Sequence, residues 1–374
     1  MKKMKFYMNV AASVMLAFGM TACNAVVDNA AGTPADNPAD QVVAIQSGDT
    51  LATVISQLAV TTDNVIVEIP EGVDTVYTGE IKMLGKQLTI TGSEGTVVVA
   101  TAPIIVDNSI TIENVTVDAS ELTNALVLLN EELPADVNDK GAYTIDEIAF
   151  NNVTVEGLAY QLFFANKKKY IVNKLAVENS IIAIDGKNKK TVFDFNGGGL
   201  PVLLSINKST IYANPSNAVN GGFYSTQSGS RFVDLGVEEN VISITNSTLY
   251  NIAKGKPVST LRQNSQAQQK YIVKNSIIVN CGAKNNQFLK GLNGRQKGKA
   301  NNWDIDNNVI VYDGEVSLEE NTIAGEINNP IPVDPKFKDP ENGNFRPTDA
   351  LFLNLGNKRP GDPRWVGGVR ADLL

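Results

Sequence analysis

Seven segments of the chain superimpose: SITIENVTV (109–117), IAFNNVTV (148–155), LAVENSIIAI (175–184), LSINKSTIYA (204–213), SITNSTLYN (243–251), YIVKNSIIVN (271–280) and WDIDNNVIVY (303–312). Each joins two apolar alternating strands through one turn position, at Asn114, Asn152, Asn179, Lys208, Asn246, Asn275 and Asn307. The spacings are 38, 27, 29, 38, 29 and 32 residues, and Gly92 takes the equivalent place 22 residues before Asn114. Asn and Gly tolerate the left-handed backbone of a sharp turn better than other residues do. Stacked asparagines also hydrogen-bond from one layer to the next. Repetition at this period implies a stack of similar coils.

Between these units lie further short apolar runs, NALVLLN (124–130), YQLFFAN (160–166), TVFDFN (191–196), RFVDLG (231–236), VSTLRQ (258–263) and NQFLKGL (286–292). Every repeat therefore holds three short strands, and the last connection varies in length. That pattern predicts an all-β chain, a right-handed parallel β-helix whose inward Val, Ile, Leu and Phe side chains need neighbouring coils to be buried. An antiparallel β-sandwich is the alternative; leucine-rich and propeller repeats fit neither the period nor the composition. Eight or more coils at a rise of about 4.8 Å give a rod of roughly 40 Å. Its ends need covers. Leu51, Val54, Ile55 and Leu58 fall at i, i+3, i+4, i+7 after a polar Ser47-Gly48-Asp49-Thr50 cap, which predicts a short N-terminal capping helix. The expected organisation is a signal peptide at 1–22, a tether at 23–41, the β-helix at 42–329, and a Pro- and Asp-rich C-terminal cap at 330–374 that closes the other end.

The chain contains no histidine and only two cysteines, Cys23 and Cys281. Ser-His-Asp and Cys-His catalysis, the commonest zinc sites and a disulfide framework are thereby excluded. Lys2, Lys3 and Lys5 precede a short apolar stretch, Val10 to Met20, and then Met20-Thr21-Ala22-Cys23. This is a secretory signal, too short to be a membrane span. Its ending resembles a bacterial lipobox, which implies lipidation of Cys23; an ordinary signal peptide is the alternative. Without those three lysines, 29 basic residues face 40 acidic ones, a charge of −11. So negative a surface argues against nucleic acid as a partner. Residues 24–41, rich in Ala, Asn, Asp and Pro, read as a flexible tether to the membrane.

The tail carries VDPKFKDPENGNFRPTDALFLNLG (333–356) and GDPRW (361–365). Together with the Asn-turn repeats and the lipobox, these resemble the uncharacterised pectin-lyase-like (pectate-lyase-like) β-helix lipoproteins of Bacteroidota, over about residues 42–370. The resemblance implies an outer-membrane lipoprotein, on the periplasmic or the cell-surface face, encoded beside polysaccharide-utilisation systems. It fixes no activity, because one fold carries many functions. The histidine-containing motifs of pectate lyases and polygalacturonases are missing.

Aligning the third strands gives one column, Leu128, Phe164, Asp194, Asp234, Arg262 and Lys290. Burying such charges is costly, so the column is expected to face solvent. A lyase acting on uronic acids neutralises the substrate carboxylate and removes a carbon-bound proton with a basic side chain. Asp194 and Asp234 are the candidates for holding calcium, the one cofactor considered, and Arg262 or Lys290 for the base. A hydrolase would instead use two opposed carboxylates, for which Asp194 and Asp234 are again the candidates. The bland reading is a solvated ladder of weakly paired charges. The loop NPSNAVNGGFYSTQSGSR (214–231) could overhang this column and stack a sugar on Phe223 or Tyr224 beside Arg231; a disordered loop is the alternative. Lys167-Lys168-Lys169 and KGLNGRQKGK (290–299) form basic islands. Cys281 reads as a small structural residue.

Three functions remain open from sequence. The leading one is binding of an extracellular, anionic polysaccharide by a monomeric lipid-anchored accessory protein. The others are a polysaccharide lyase or glycoside hydrolase, and a structural or adhesive envelope protein.

Overall fold

A computed structural model describes residues 41–367, except 47, 58–63, 74, 84, 167–168, 186–188, 197, 215–220, 227–233, 255, 257, 262–267, 284–285, 289–301 and 317–326. The signal segment, Cys23 and the tether lie outside the described residues.

The chain winds into a right-handed parallel β-helix with three sheets. Sheet A has eleven strands, from Gln41–Ala44 to Ile327–Asn328. Sheet B has ten strands, all parallel except Glu315–Val316, which pairs antiparallel with Val309–Tyr312. Sheet C has seven very short strands, from Ile81–Lys82 to Ser259–Leu261. In sheet A one inward column runs Val65, Leu88, Ile110, Ile148, Leu175, Leu204, Ile242, Tyr271 and Trp303, in register through nine coils. Each such aliphatic side chain taken from water contributes about 1.5–3 kcal/mol. One continuous core reaches from Ile45 to Ile310. Behind sheet C it is filled by aromatics, with Phe163 4.7 Å from Phe195 and Phe193 5.3 Å from Phe223, ring centre to ring centre.

The turn between sheets A and B behaves as the repeat predicts. Asn114, Asn152, Asn179, Lys208, Asn246, Asn275 and Asn307 all have φ between 48° and 57°. Asn152 Nδ2 donates to Asn114 Oδ1 at 3.0 Å, Asn179 to Asn152 at 3.3 Å and Asn307 to Asn275 at 2.7 Å. Lys208 interrupts this ladder, and Asn246 turns instead to Asn207 Oδ1 at 3.0 Å. Gly92 lies one residue past the Thr91–Glu113 pair, in register with Asn114, but it ends the strand Gln87–Gly92 and the left-handed residue of that turn is Gly95. Gly92 is glycine for another reason: a Cβ there would sit 2.6 Å from Val115 Cγ1.

A second, buried ladder follows directly. Ser180, Ser209, Ser247 and Ser276 are sealed from solvent one residue after each turn. The Ser180, Ser209 and Ser247 amides donate to the next coil's serine Oγ at 3.0, 3.2 and 3.2 Å, and Asn308 Oδ1 ends the series on the Ser276 amide at 2.9 Å. Each hydroxyl in turn donates to the carbonyl two residues before it, at 2.7–2.9 Å. An inward-facing turn amide would otherwise be a buried donor without a partner, which is costly.

The helix Leu51–Gln57 buries Leu51, Val54 and Ile55 in the core, and Thr50 Oγ1 caps it by accepting from the Thr53 amide at 3.1 Å. Leu58 lies outside the described residues. Residues 331–366 run back along the outer face of sheet B instead of lying across the far end. Ile331, Phe352 and Val366 pack on Ile277, Val279, Val309 and Val311, and Phe345 meets Tyr212, Tyr250 and Trp365 edge to face. This C-terminal strap is latched by GDPRW. Gly361 (φ 109°) passes so close that a Cβ would meet Ile277 Cδ1 at 2.7 Å. The Asp362 carboxylate caps the helix Pro363–Val366 through the Arg364 amide at 3.0 Å. The Arg364 guanidinium donates to Asp362 and to the carbonyls of Ser180 (2.7 Å) and Lys208 (3.2 Å), while Trp365 Nε1 donates to Thr210 Oγ1 at 2.7 Å.

Candidate functional site

Sheet C brings together only part of the expected column. Leu128, Phe164 and Asp194 are neighbours on successive coils, outward and half-buried. The next position is Ser225, followed by Thr260, and not Asp234 and Arg262. The strand of that coil is Tyr224–Thr226, inside the segment read as a loop. Phe223 and Tyr224 are 1% and 0% exposed, with the Tyr224 hydroxyl donating to Asn240 Oδ1 at 2.8 Å, so neither ring is open to a sugar. Asp234 comes after that strand and opens a segment that folds over sheet A. The two aspartates therefore do not form the expected pair. Arg231, Arg262, Lys290, Lys167, Lys168 and the 290–299 island lie outside the described residues. Among the described residues no three His, Cys, Asp or Glu side chains cluster to hold a metal ion.

Asp194 keeps an unusual setting. Burial pushes its carboxyl above the ordinary range, opposed by the Asn196 amide, which donates at 2.9 Å, by the Gln161 side chain, and by Lys256 and Lys190. Burial also pushes the Cys281 thiol up to about 12, which leaves it unreactive near neutrality.

A wider concavity lies elsewhere, on the outer face of sheet A. Two excursions that precede strands of this sheet wall it, one ending before Tyr143–Asn151 and one before Glu239–Thr245. In the first, Asn138 Oδ1 accepts from the Lys140 and Ala142 amides at 3.0 and 2.9 Å, folding residues 138–142 into a tight turn. In the second, Leu235 and Val237 pack on Ala142, Ile171 and Leu200, so these outward side chains are buried. The walls meet where Lys140 crosses Gly236 (φ 82°), at which a Cβ would stand 3.3 Å from Lys140 Nζ. Between them lies a groove of about 520 Å³. Its floor is Thr144, Ile171, Asn173 and Val202; its rim carries Asn138, Asp139, Lys140, Glu238 and Glu239. Asn173 Nδ2 is held by Asp146 Oδ1 at 3.0 Å, and Lys174 beside it pairs with Glu147 at 2.7 Å. An apolar floor with a few fixed polar groups is the usual make-up of a small-molecule or sugar site.

Residues 72–214 match a family described as a domain of unknown function (DUF4957), and residues 242–365 match another described the same way (DUF5123). Both are families of unknown function. The first match ends as the long connection to Tyr224 begins, and the second runs from the following sheet A strand through Trp365, so it takes in the strap. The stretch between them, 215–241, holds the Asp234–Glu239 wall. No curated protein and no solved structure matches the chain.

Proposed function

We propose that the chain is an exported lipoprotein, tethered to the outer membrane through Cys23, that binds an extracellular polysaccharide in the groove over sheet A as an accessory in glycan use. The groove carries this reading: about 520 Å³ of open volume, an apolar floor of Ile171 and Val202, and amide and carboxylate groups around it. Hydroxyl-rich rings meet both needs, an apolar face for the floor and hydrogen bonds for the rim. The sequence likeness to pectin-lyase-like lipoproteins supports the same reading, as does the lipobox-like Met20-Thr21-Ala22-Cys23. No described helix is long and apolar enough to cross a membrane.

Affinity electrophoresis against a panel of acidic and neutral polysaccharides, with and without calcium, tests this. Parallel reactions are read at 235 nm for unsaturated products and by a reducing-end assay. The expected result is retention without cleavage, lost in Val202→Arg, which fills the floor with a charge. Cleavage that vanishes in Asp194→Ala would make the protein an enzyme working on sheet C. Absence of retention and of cleavage across the panel would leave a structural or adhesive role.

A further inference from the structure

Resting on the groove as a glycan site, we infer that it selects sugar chains without carboxylates and holds amine-bearing sugars best, so that uronate polymers are its poorest ligands. The charges on the lining decide this. Among the described residues of the lining, Asp139 on one wall and Glu238 and Glu239 on the other give three carboxylates against the one amine of Lys140. That amine lies across Gly236, between the walls. The other described neighbours do not reverse the balance. Lys174 is taken up by Glu147 at 2.7 Å, and Asp146 adds a further exposed carboxylate where it holds Asn173. Lys169 stands behind the turn, its Nζ 3.6 Å from where a Cβ of Gly141 would be, and it is not part of the lining. A uronate chain would bring a carboxylate on every sugar into a concave space already lined by like charge, so that the repulsions add along the chain. A protonated amino sugar meets opposite charge on both walls. Specificity here would come as much from rejecting the wrong ligand as from holding the right one.

The test uses the full-length chain in detergent micelles. Retention is compared for polygalacturonate, its fully methyl-esterified form, galactomannan and chitosan oligosaccharides, at low and high salt. The expected order is chitosan tightest, then the neutral chains, with polygalacturonate at least tenfold weaker than its own methyl ester. High salt should weaken chitosan and strengthen polygalacturonate, because screening acts on attraction and repulsion alike. In Glu238→Gln/Glu239→Gln, the gap between ester and acid should shrink at least threefold. Polygalacturonate held as well as its ester by the unaltered chain would overturn this selectivity and leave glycan binding intact. Retention of no glycan would overturn the binding site itself.

Discussion

The Asp362 carboxylate, 0% exposed, accepts a hydrogen bond at 2.7 Å from Thr210 Oγ1, a residue 152 positions earlier in the chain. The same carboxylate is bound by the Arg364 guanidinium, which also serves carbonyls of two successive coils. A buried charge is tolerable only while it is paired and hydrogen-bonded. Arg364→Ala removes the partner and leaves the carboxylate stranded, at a cost of about 3 kcal/mol. Arg364→Lys keeps the charge but not the planar fork, and should fall between the two. Urea unfolding midpoints measure both losses. Limited proteolysis should cut the strap of Arg364→Ala first.

The serine ladder predicts an effect from a single oxygen. Ser209 Oγ accepts the Ser180 amide at 3.0 Å and donates to the Asn207 carbonyl at 2.8 Å. Ser209→Ala leaves a buried backbone amide without an acceptor and should cost about 1–3 kcal/mol. Ser56→Ala is the control: its hydroxyl donates to the Thr53 carbonyl on an exposed turn of helix, and its loss should stay within about 0.5 kcal/mol. Equal unfolding midpoints for the two variants would show that the ladder does not hold the coils together.

Asp194 predicts a pH dependence. Burial raises its carboxyl in the folded chain, so the folded state binds a proton more tightly than the unfolded state does. Its contribution then falls as pH climbs from about 4, the ordinary carboxylate value, through the raised one. Asp194→Asn keeps an oxygen for the Asn196 amide and removes the titration. The melting temperature of the variant minus that of the parent should be small near pH 4 and grow in the variant's favour towards pH 7. A difference that is flat with pH would rule out a raised carboxyl.

Where conformation selects the residue type, the fold is legible directly: left-handed turns favour Asn, and six of the seven turn positions carry it, with Lys208 placed by the repeat around it. The serines next to them carried the same period, as ENS, NKS, TNS and KNS, but a polar residue beside a turn is so ordinary that it does not announce a buried role. Sheet C was least legible. Strands of two or three residues show no alternation of their own, so Phe223 and Tyr224 were hidden in a Gly- and Ser-rich stretch. The register then slipped from Ser225 to Asp234, and the charged column came apart with it. GDPRW stands out as a motif but not as a latch, because its hydrogen-bond partners on the coils are 86 to 185 residues away. The groove was invisible for a similar reason. Its walls come from coils far apart in sequence, and nothing in either wall refers to the other.

The groove's two walls are inserted between strands whose coil-to-coil pairing does not run through them. Coil-to-coil pairing depends on the register of sheets A, B and C and not on what passes between them, and doubling a loop's length costs only about 0.6 kcal/mol in closure entropy. The rod is thus a fixed rail, and each wall an exchangeable fitting on it. Chains of this build could change what they grip by replacing a dozen residues before one sheet A strand, without reopening the question of how they fold.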